Sequence, residues 1–199
     1  MNTIITIILS YLIGCFSSAY ILGKLIKKTD IRTYGSGNAG TTNALRVFGK
    51  KVGIMVFILD VLKGILAVYI GGKLLGYDGK LIGGFFAVIG HMFPVFLRFK
   101  GGKGIATSFG MLLSIHWPTA IITFIGFAIV LALSKYVSLA SISSCVLAPI
   151  VIALVKVPFD RKFFITTLII AIISIIKHRS NIERLLKGQE YKIGAKVKR

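Results

Sequence analysis

Apolar runs long enough, or nearly so, to cross a lipid bilayer occupy most of this 199-residue chain. A helical crossing needs about 20 apolar residues at about 1.5 Å of rise each. Runs near that length lie at residues 3–23, 52–72, 81–98, 118–134, 137–155 and 162–177, with a shorter one at 104–116. Only 16% of residues are charged, against about a quarter in soluble domains. The chain is therefore predicted to be all-α, a polytopic membrane protein of about seven transmembrane helices folded as one domain over residues 1–199. The run Gly104–Ile115 is short for a full crossing, which leaves a half-helix or a tilted segment ending at His116-Trp117-Pro118, and a five-crossing arrangement, as alternatives. The first 23 residues do not read as a cleaved secretory leader, because the first lysine, Lys24, follows the apolar stretch instead of preceding it.

Net charge is +19, from 25 Lys and Arg against 6 Asp and Glu. Such a balance would suggest nucleic acid in a soluble protein, but here it sits on short loops between apolar runs. Tallied by alternate loops, 19 cations fall on one side and 5 on the other, with Lys63 inside a span. The positive-inside rule then puts the amino terminus outside and the carboxyl terminus in the cytoplasm. All chemically suggestive loops gather on the cytoplasmic side. Cys15 and Cys145 lie in apolar runs without metal-ligand spacing and read as packing residues.

Three segments carry the polar chemistry. The first is Gly35-Ser36-Gly37-Asn38-Ala39-Gly40-Thr41-Thr42-Asn43. It matches G-x-G-x-x-G, but a membrane helix and a basic linker precede it where a dinucleotide fingerprint needs a strand. It also nearly spells a Walker A loop, yet Thr41 stands where the lysine belongs. What remains is the physics those motifs share: glycines let successive N–H groups form an anion-binding nest, and Ser36, Asn38, Thr41, Thr42 and Asn43 add polar groups. Arg46 follows with a forked donor suited to phosphate. The competing reading is a flexible polar turn.

The second segment, Gly90-His91-Met92-Phe93-Pro94-Val95-Phe96-Leu97-Arg98-Phe99-Lys100-Gly101-Gly102-Lys103-Gly104, ends one membrane helix and opens the next. A glycine-rich helix start beside Lys103 is a natural anion site. His91 reads either as a hydrogen-bonded structural residue or as an intramembrane functional group. The third segment closes the last span: Lys177-His178-Arg179-Ser180-Asn181-Ile182-Glu183-Arg184. If the helix continues, His178 and Asn181 share a face at i, i+3, as do Asn181 and Arg184. Substrate contact is the preferred reading for His178 and Asn181, and headgroup binding for the tail from Lys187 to Arg199. Asp60 and Lys63, also at i, i+3 within a span, are expected to pair as structural support. Ser138, Ser141, Ser143 and Ser144 follow Lys135-Tyr136 at a helix start; they suit helix packing, with one of them a candidate donor to substrate. Paired carboxylates, a Cys/His metal cluster and a G-x-S-x-G elbow are all lacking in the sequence, so neither a metal nor a cofactor is expected.

The sequences at 35–43, 90–104 and 178–185, with Asp-x-x-Lys-Gly at 60–64 and Tyr-x-Ser-x-x-Ser at 136–141, resemble the three motifs of the bacterial acyl-phosphate:glycerol-3-phosphate acyltransferases, over almost the whole chain. The resemblance implies a multi-pass enzyme of the bacterial cell (inner) membrane with its active site facing the cytoplasm. It implies transfer of a fatty acyl group from acyl phosphate to the 1-hydroxyl of glycerol 3-phosphate, giving lysophosphatidic acid and phosphate in phospholipid biosynthesis. Acyl-CoA and acyl carrier protein are not donors, and no obligatory protein partner is implied. The His-x-x-x-x-Asp of other acyltransferases does not occur, since Phe96, Ile121 and Glu183 stand five residues after the three histidines.

On this basis Ser36, Arg46, Lys103 and His178 are expected to be catalytic. Gly35, Gly37, Asn38, Gly40, Thr41, Thr42, Asn43, His91, Gly101, Gly102, Ser141 and Asn181 are expected to bind substrate. Acyl phosphate is already an activated mixed anhydride, so positioning and charge stabilisation suffice without a protein nucleophile. An anion permease and a non-enzymatic lipid-binding protein are the rival classes.

Overall fold

The computed structural model describes residues 1–156 and 158–195, and every regular element among them is a helix. Lys196, Lys198 and Arg199 of the basic tail lie outside the described residues. The chain packs as two compact units, an amino-terminal one led by Met1–Ser114 and a carboxyl-terminal one, Ile115–Ile193.

In the amino-terminal unit the first apolar run folds as two helices, α1 (Asn2–Cys15) and α2 (Ser18–Lys27). The break falls where Phe16 turns extended, at φ −62° and ψ 102°. A break within a membrane leaves carbonyls unpaired, and the Phe16 carbonyl is met by the Lys63 ammonium at 2.8 Å. A 3₁₀ turn at Ile31–Thr33 leads to α3 (Thr41–Phe48), a short helix that grows out of the glycine-rich segment.

The runs expected at 52–72 and 81–98 are joined as α4 (Lys50–Met92), interrupted at Leu75 and Gly76. Gly76, at φ 59° and ψ −138°, takes a conformation that only glycine adopts freely. The two arms turn back on each other there: a Cβ added at Gly71 would strike the Gly79 carbonyl, and one at Gly83 the Ala67 carbonyl. α1 packs against the second arm just as closely, since side chains at Gly14 or Gly90 would strike the backbone of Ala87 or Tyr11. After a 3₁₀ turn at Val95–Leu97 comes α5 (Ile105–Ile115), whose 11 residues span only about 16 Å. This is about half the thickness of a hydrocarbon core, so the helical part of 104–116 is short of a full crossing.

The carboxyl-terminal unit holds α6 (Trp117–Ser134), α7 (Val137–Val155), α8 (Arg161–Lys177) and α9 (Arg179–Leu186). α7 packs against both α6 and α8. The buried interior of this unit includes Ala120, Ala140, Ile152 and Phe163.

An all-α chain with several membrane spans is thus what the sequence folds into. Among the described residues four helical segments are long and apolar enough to cross, Asn2–Lys27, Lys50–Leu97, Trp117–Ser134 and Val137–Val155. The bent pair Arg161–Lys177 and Arg179–Leu186 makes five. The seven expected runs become five because those at 52–72 and 81–98 join across the turn at Gly76 and α5 is too short to count as a span.

Candidate functional site

The glycine-rich loop is built around one buried amide. The Asn43 side chain, 1% exposed, donates to the carbonyls of Ile31 at 3.2 Å and Tyr34 at 3.0 Å, and its Oδ1 accepts from the Ser36 N–H at 3.0 Å. A further turn closes through the Gly37 N–H to the Tyr34 carbonyl at 3.0 Å. Gly35 and Gly37 have φ of 61° and 70°, and a Cβ at Gly35 would run into Asn43 Oδ1. Asn43, expected among the groups that hold phosphate, therefore has its donors and acceptor committed to shaping the loop. The backbone N–H groups of Ser36 and Gly37 are committed likewise.

What the loop does present is the start of α3. Gly40 is its N-cap without a side-chain cap, and the N–H groups of Thr41, Thr42 and Asn43 have no carbonyl within the helix to donate to. The Thr41 hydroxyl is buried without a hydrogen-bond partner in the structure. Ser36 is exposed, Asn38 half-buried and Gly40 buried, and Arg46 is half-buried on α3.

The second motif approaches the first through Arg32. Its guanidinium clasps Asp30 at 2.8 Å, lies over the Tyr20 ring at 5.1 Å from the centroid, and sends Nη1 to the Leu97 carbonyl at 3.2 Å. The hydrogen bond from Arg32 holds the Asp30 carboxyl below the usual aspartate range, while desolvation opposes it. Asp30 also caps the 3₁₀ turn through the Arg32 N–H. Loops 30–43 and 95–104 thus lie at one end of the amino-terminal unit. Gly101 and Gly102 are buried and Lys103 is half-buried just before α5.

His91 is 6% exposed, with Nδ1 2.7 Å from Lys63 Nζ. Lys63 also bridges Asp60 at 2.9 Å, and Ser18 donates to the same Asp60 oxygen at 2.9 Å. The pairing expected of Asp60 and Lys63 is present, but it is a wider network that includes His91 and Ser18. Of these partners Ser18 carried no signal in the sequence, where it looks like any small helix residue.

In the carboxyl-terminal unit α8 does not run on past Lys177. It bends by 57° into α9, with His178 as the N-cap of the second helix. The condition that the helix continues is not met, and the reason is local: the His178 carbonyl accepts from both Asn181 and Ile182 N–H groups, starting a new helix. His178, 3% exposed, donates from Nδ1 to the Ser174 carbonyl at 2.8 Å, which leaves Nε2 as its accepting nitrogen when the ring is neutral. Asn181 is buried, and its amide donates to Glu190 Oε1 at 2.9 Å; Arg184 reaches Glu190 Oε2 at 2.7 Å. Glu190, itself 7% exposed, escaped the sequence reading, although a lone acidic residue in a basic tail was a signal that it has a fixed cation to meet.

Ser141 is buried and donates to the Val137 carbonyl one turn back at 2.8 Å, so its proton serves the helix. The Ser138 hydroxyl is buried without a hydrogen-bond partner in the structure. As a donor Ser138 is the better placed of the two. Among the described residues no group of three or more His, Cys, Asp or Glu is arranged to hold a metal ion.

The sequence model of a family described as glycerol-3-phosphate acyltransferase matches residues 4–188. The chain is 49% identical over 199 residues to a glycerol-3-phosphate acyltransferase of Thermoanaerobacter pseudethanolicus, covering 99% of this chain and 98% of that one. It is 47% identical to one of Finegoldia magna, covering 98% and 99%. A crystal structure of PlsY (YgiH), an integral membrane glycerol 3-phosphate acyltransferase in its glycerol 3-phosphate form, superposes with a TM-score of 0.91 at 36% identity, covering 98% of this chain and 96% of that one. The lysophosphatidic acid form superposes with a TM-score of 0.88. With the family model spanning nearly the whole chain and relatives close to half identical along their full lengths, this integral membrane protein belongs to the glycerol-3-phosphate acyltransferase family.

Proposed function

We propose that the chain, as a single catalytic domain over residues 1–199, transfers a fatty acyl group from acyl phosphate to the 1-hydroxyl of glycerol 3-phosphate. The observation that carries this reading is the Arg32–Leu97 link, which holds two anion-suited segments, the start of α3 and Gly101–Lys103, at one end of one unit. The reaction brings together two phosphate groups with about 3 to 4 negative charges between them, and their repulsion calls for several fixed donors and cations. Glycerol 3-phosphate and lysophosphatidic acid, the ligands of the PlsY structures, are the acceptor and product that this reaction requires.

In this reading the N–H groups of Thr41 and Thr42, with the side chains of Ser36, Asn38 and Thr41, hold the phosphate of the donor. Gly35, Gly37, Gly40 and Asn43 set the backbone that presents them. Arg46 and Lys103 hold glycerol 3-phosphate, and Gly101 and Gly102 set the approach of Lys103. His178 and Asn181 are assigned to the same acceptor, with Ser138 preferred over Ser141 as a further donor. The acceptor oxygen attacks the acyl carbon, the bond from that carbon to the phosphate oxygen breaks, and inorganic phosphate leaves. The hydroxyl proton passes to an oxygen of the departing phosphate. Of the carboxylates near these motifs, Asp30 and Glu190 are held in ion pairs with Arg32 and Arg184, and Glu183 is exposed on α9; the proton is assigned to the phosphate, with His178 Nε2 as the alternative acceptor.

About seven transmembrane helices with the amino terminus outside and the carboxyl terminus in the cytoplasm of a bacterial cell (inner) membrane, and a site facing the cytoplasm, belong to the same proposal. The hairpin in α4 supports it: Lys73 and Lys80 flank the turn, while Arg32 and Leu97 meet at the opposite, more cationic end. Purified protein in detergent or lipid tests the reading. Phosphate release from acyl phosphate should depend on glycerol 3-phosphate and should not be replaced by acyl-CoA. Release without the acceptor, or acyl-CoA as an equal donor, overturns it.

A further inference from the structure

Buried in the amino-terminal unit is a chain of charged and polar groups that the proposed reaction does not use directly. An ammonium has three N–H donors, and the three close partners of Lys63 Nζ match them: the Phe16 carbonyl at 2.8 Å, Asp60 Oδ1 at 2.9 Å and His91 Nδ1 at 2.7 Å. Ser18 fixes Asp60 from the other side of the α1–α2 break. Since Lys63 is a donor, His91 Nδ1 is the acceptor and the ring cannot turn over without losing that bond. The free choice of ring orientation is thus removed by a charge network that is 1% to 6% exposed at Ser18, Asp60, Lys63 and His91.

The other edge of the same ring is a wall for the second motif. A Cβ added at Gly102 would run into His91 Nε2 and its neighbouring ring carbons, and the Gly102 N–H donates to the His91 carbonyl at 3.1 Å. Gly101 is pressed as closely, on the His91 carbonyl and the Pro94 ring. Backbone pressed against the edge of a locked imidazole has its position set by that imidazole. Lys103 is the next residue.

We propose that His91 is a positioning residue: Asp60 and Lys63 lock its ring, and the ring sets the Gly101–Gly102 backbone that delivers Lys103 to the phosphate of glycerol 3-phosphate. This rests on the assignment of Lys103 to that acceptor. It gives His91 a place beneath the site in place of the direct substrate contact expected from sequence, and it gives the intramembrane ion pair a task in acceptor binding.

The test uses full-length enzyme and both substrates. His91→Asn keeps an acceptor for Lys63 where Nδ1 stood, so the fold survives, but it removes the ring edge beneath Gly102. KM for glycerol 3-phosphate should rise by about tenfold or more, with KM for acyl phosphate changed by less than about twofold. Gly102→Ala alone should raise the same KM, and in the His91→Asn background its extra harm should shrink, because the atoms it strikes are gone. A role in folding alone predicts instead less folded protein, both KM values unchanged and effects that multiply; any of the last two results overturns the proposal. Lys103→Ala is the control. If it leaves KM for glycerol 3-phosphate unchanged, the acceptor assignment itself falls and takes the inference with it; if it raises KM while His91→Asn does not, only the inference falls.

Discussion

Arg32 Nη1 donates to the Leu97 carbonyl at 3.2 Å across 65 residues of sequence. The two residues belong to different motifs, and one bond holds the loop before α3 against the turn before α5. The same guanidinium is oriented by Asp30 and stacked on Tyr20, so its direction is fixed before it reaches Leu97.

Replacing Arg32 by Lys keeps the charge and loses the fork. A point-charge ammonium cannot bond Asp30 and Leu97 together while covering Tyr20. Expected is a loss of about 1 kcal/mol of loop ordering and a several-fold fall in kcat/KM, checked by steady-state kinetics beside a melting curve that moves by only a few degrees.

Acid should release the same loop in the wild type. Asp30 has its folded pKa below its unfolded value, so the stability it contributes is present above about pH 4 and is lost as pH falls through the lowered folded value. The group is partly exposed, which limits the contribution to less than about 1 kcal/mol. Hydrogen exchange of amides 30–43, corrected for intrinsic rates, should speed up below about pH 4 in wild type and show no such step in Asp30→Asn.

Asn43→Ala removes the buried amide that three backbone groups share. Two carbonyls and one N–H then lose their partner, at roughly 1–3 kcal/mol for each that stays dry. Activity should drop by about 100-fold or more, and Asn43→Asp should do little better, because a carboxylate accepts from Ser36 but repels the carbonyls of Ile31 and Tyr34. An active Asn43→Asp enzyme would count against the role given to the loop.

Lys103→Ala should reduce turnover by about two orders of magnitude or more while the protein stays folded. Lys103→Arg should recover part of it, since charge returns but the glycine-set reach differs. Kinetics on matched amounts of monodisperse protein decide the matter, and near-normal activity in the alanine variant is the adverse result.

Glu190→Gln places an amide where both Asn181 and Arg184 donate. One of the two must face another donor, so a loss of about 2–3 kcal/mol is expected, seen as a lower melting temperature. Glycerol 3-phosphate turnover should fall as well, through the misdirected Asn181 amide. Unchanged stability would show that the tail from Lys187 onward does not brace the carboxyl-terminal unit.

Apolar run length alone determined that this chain is a bundle of membrane helices, and the glycine, hydroxyl and cation clusters alone located its three polar segments. Both are properties of local sequence: a backbone in hydrocarbon has to satisfy its own hydrogen bonds, so about 20 apolar residues have one outcome. Tertiary structure decided which members of each cluster are spent on holding the loop. From composition, Asn43 and Thr41 are equally good phosphate donors, yet packing committed the Asn43 amide to Ile31, Tyr34 and Ser36 and left the Thr41 hydroxyl without a partner. It also decided that Lys63 would meet Phe16 and His91 as well as Asp60, and that Glu190 would meet Asn181 and Arg184. Those partners come from distant turns of chain, and a buried charge takes whatever donor or acceptor the fold brings within about 3 Å, which no spacing along a single helix encodes.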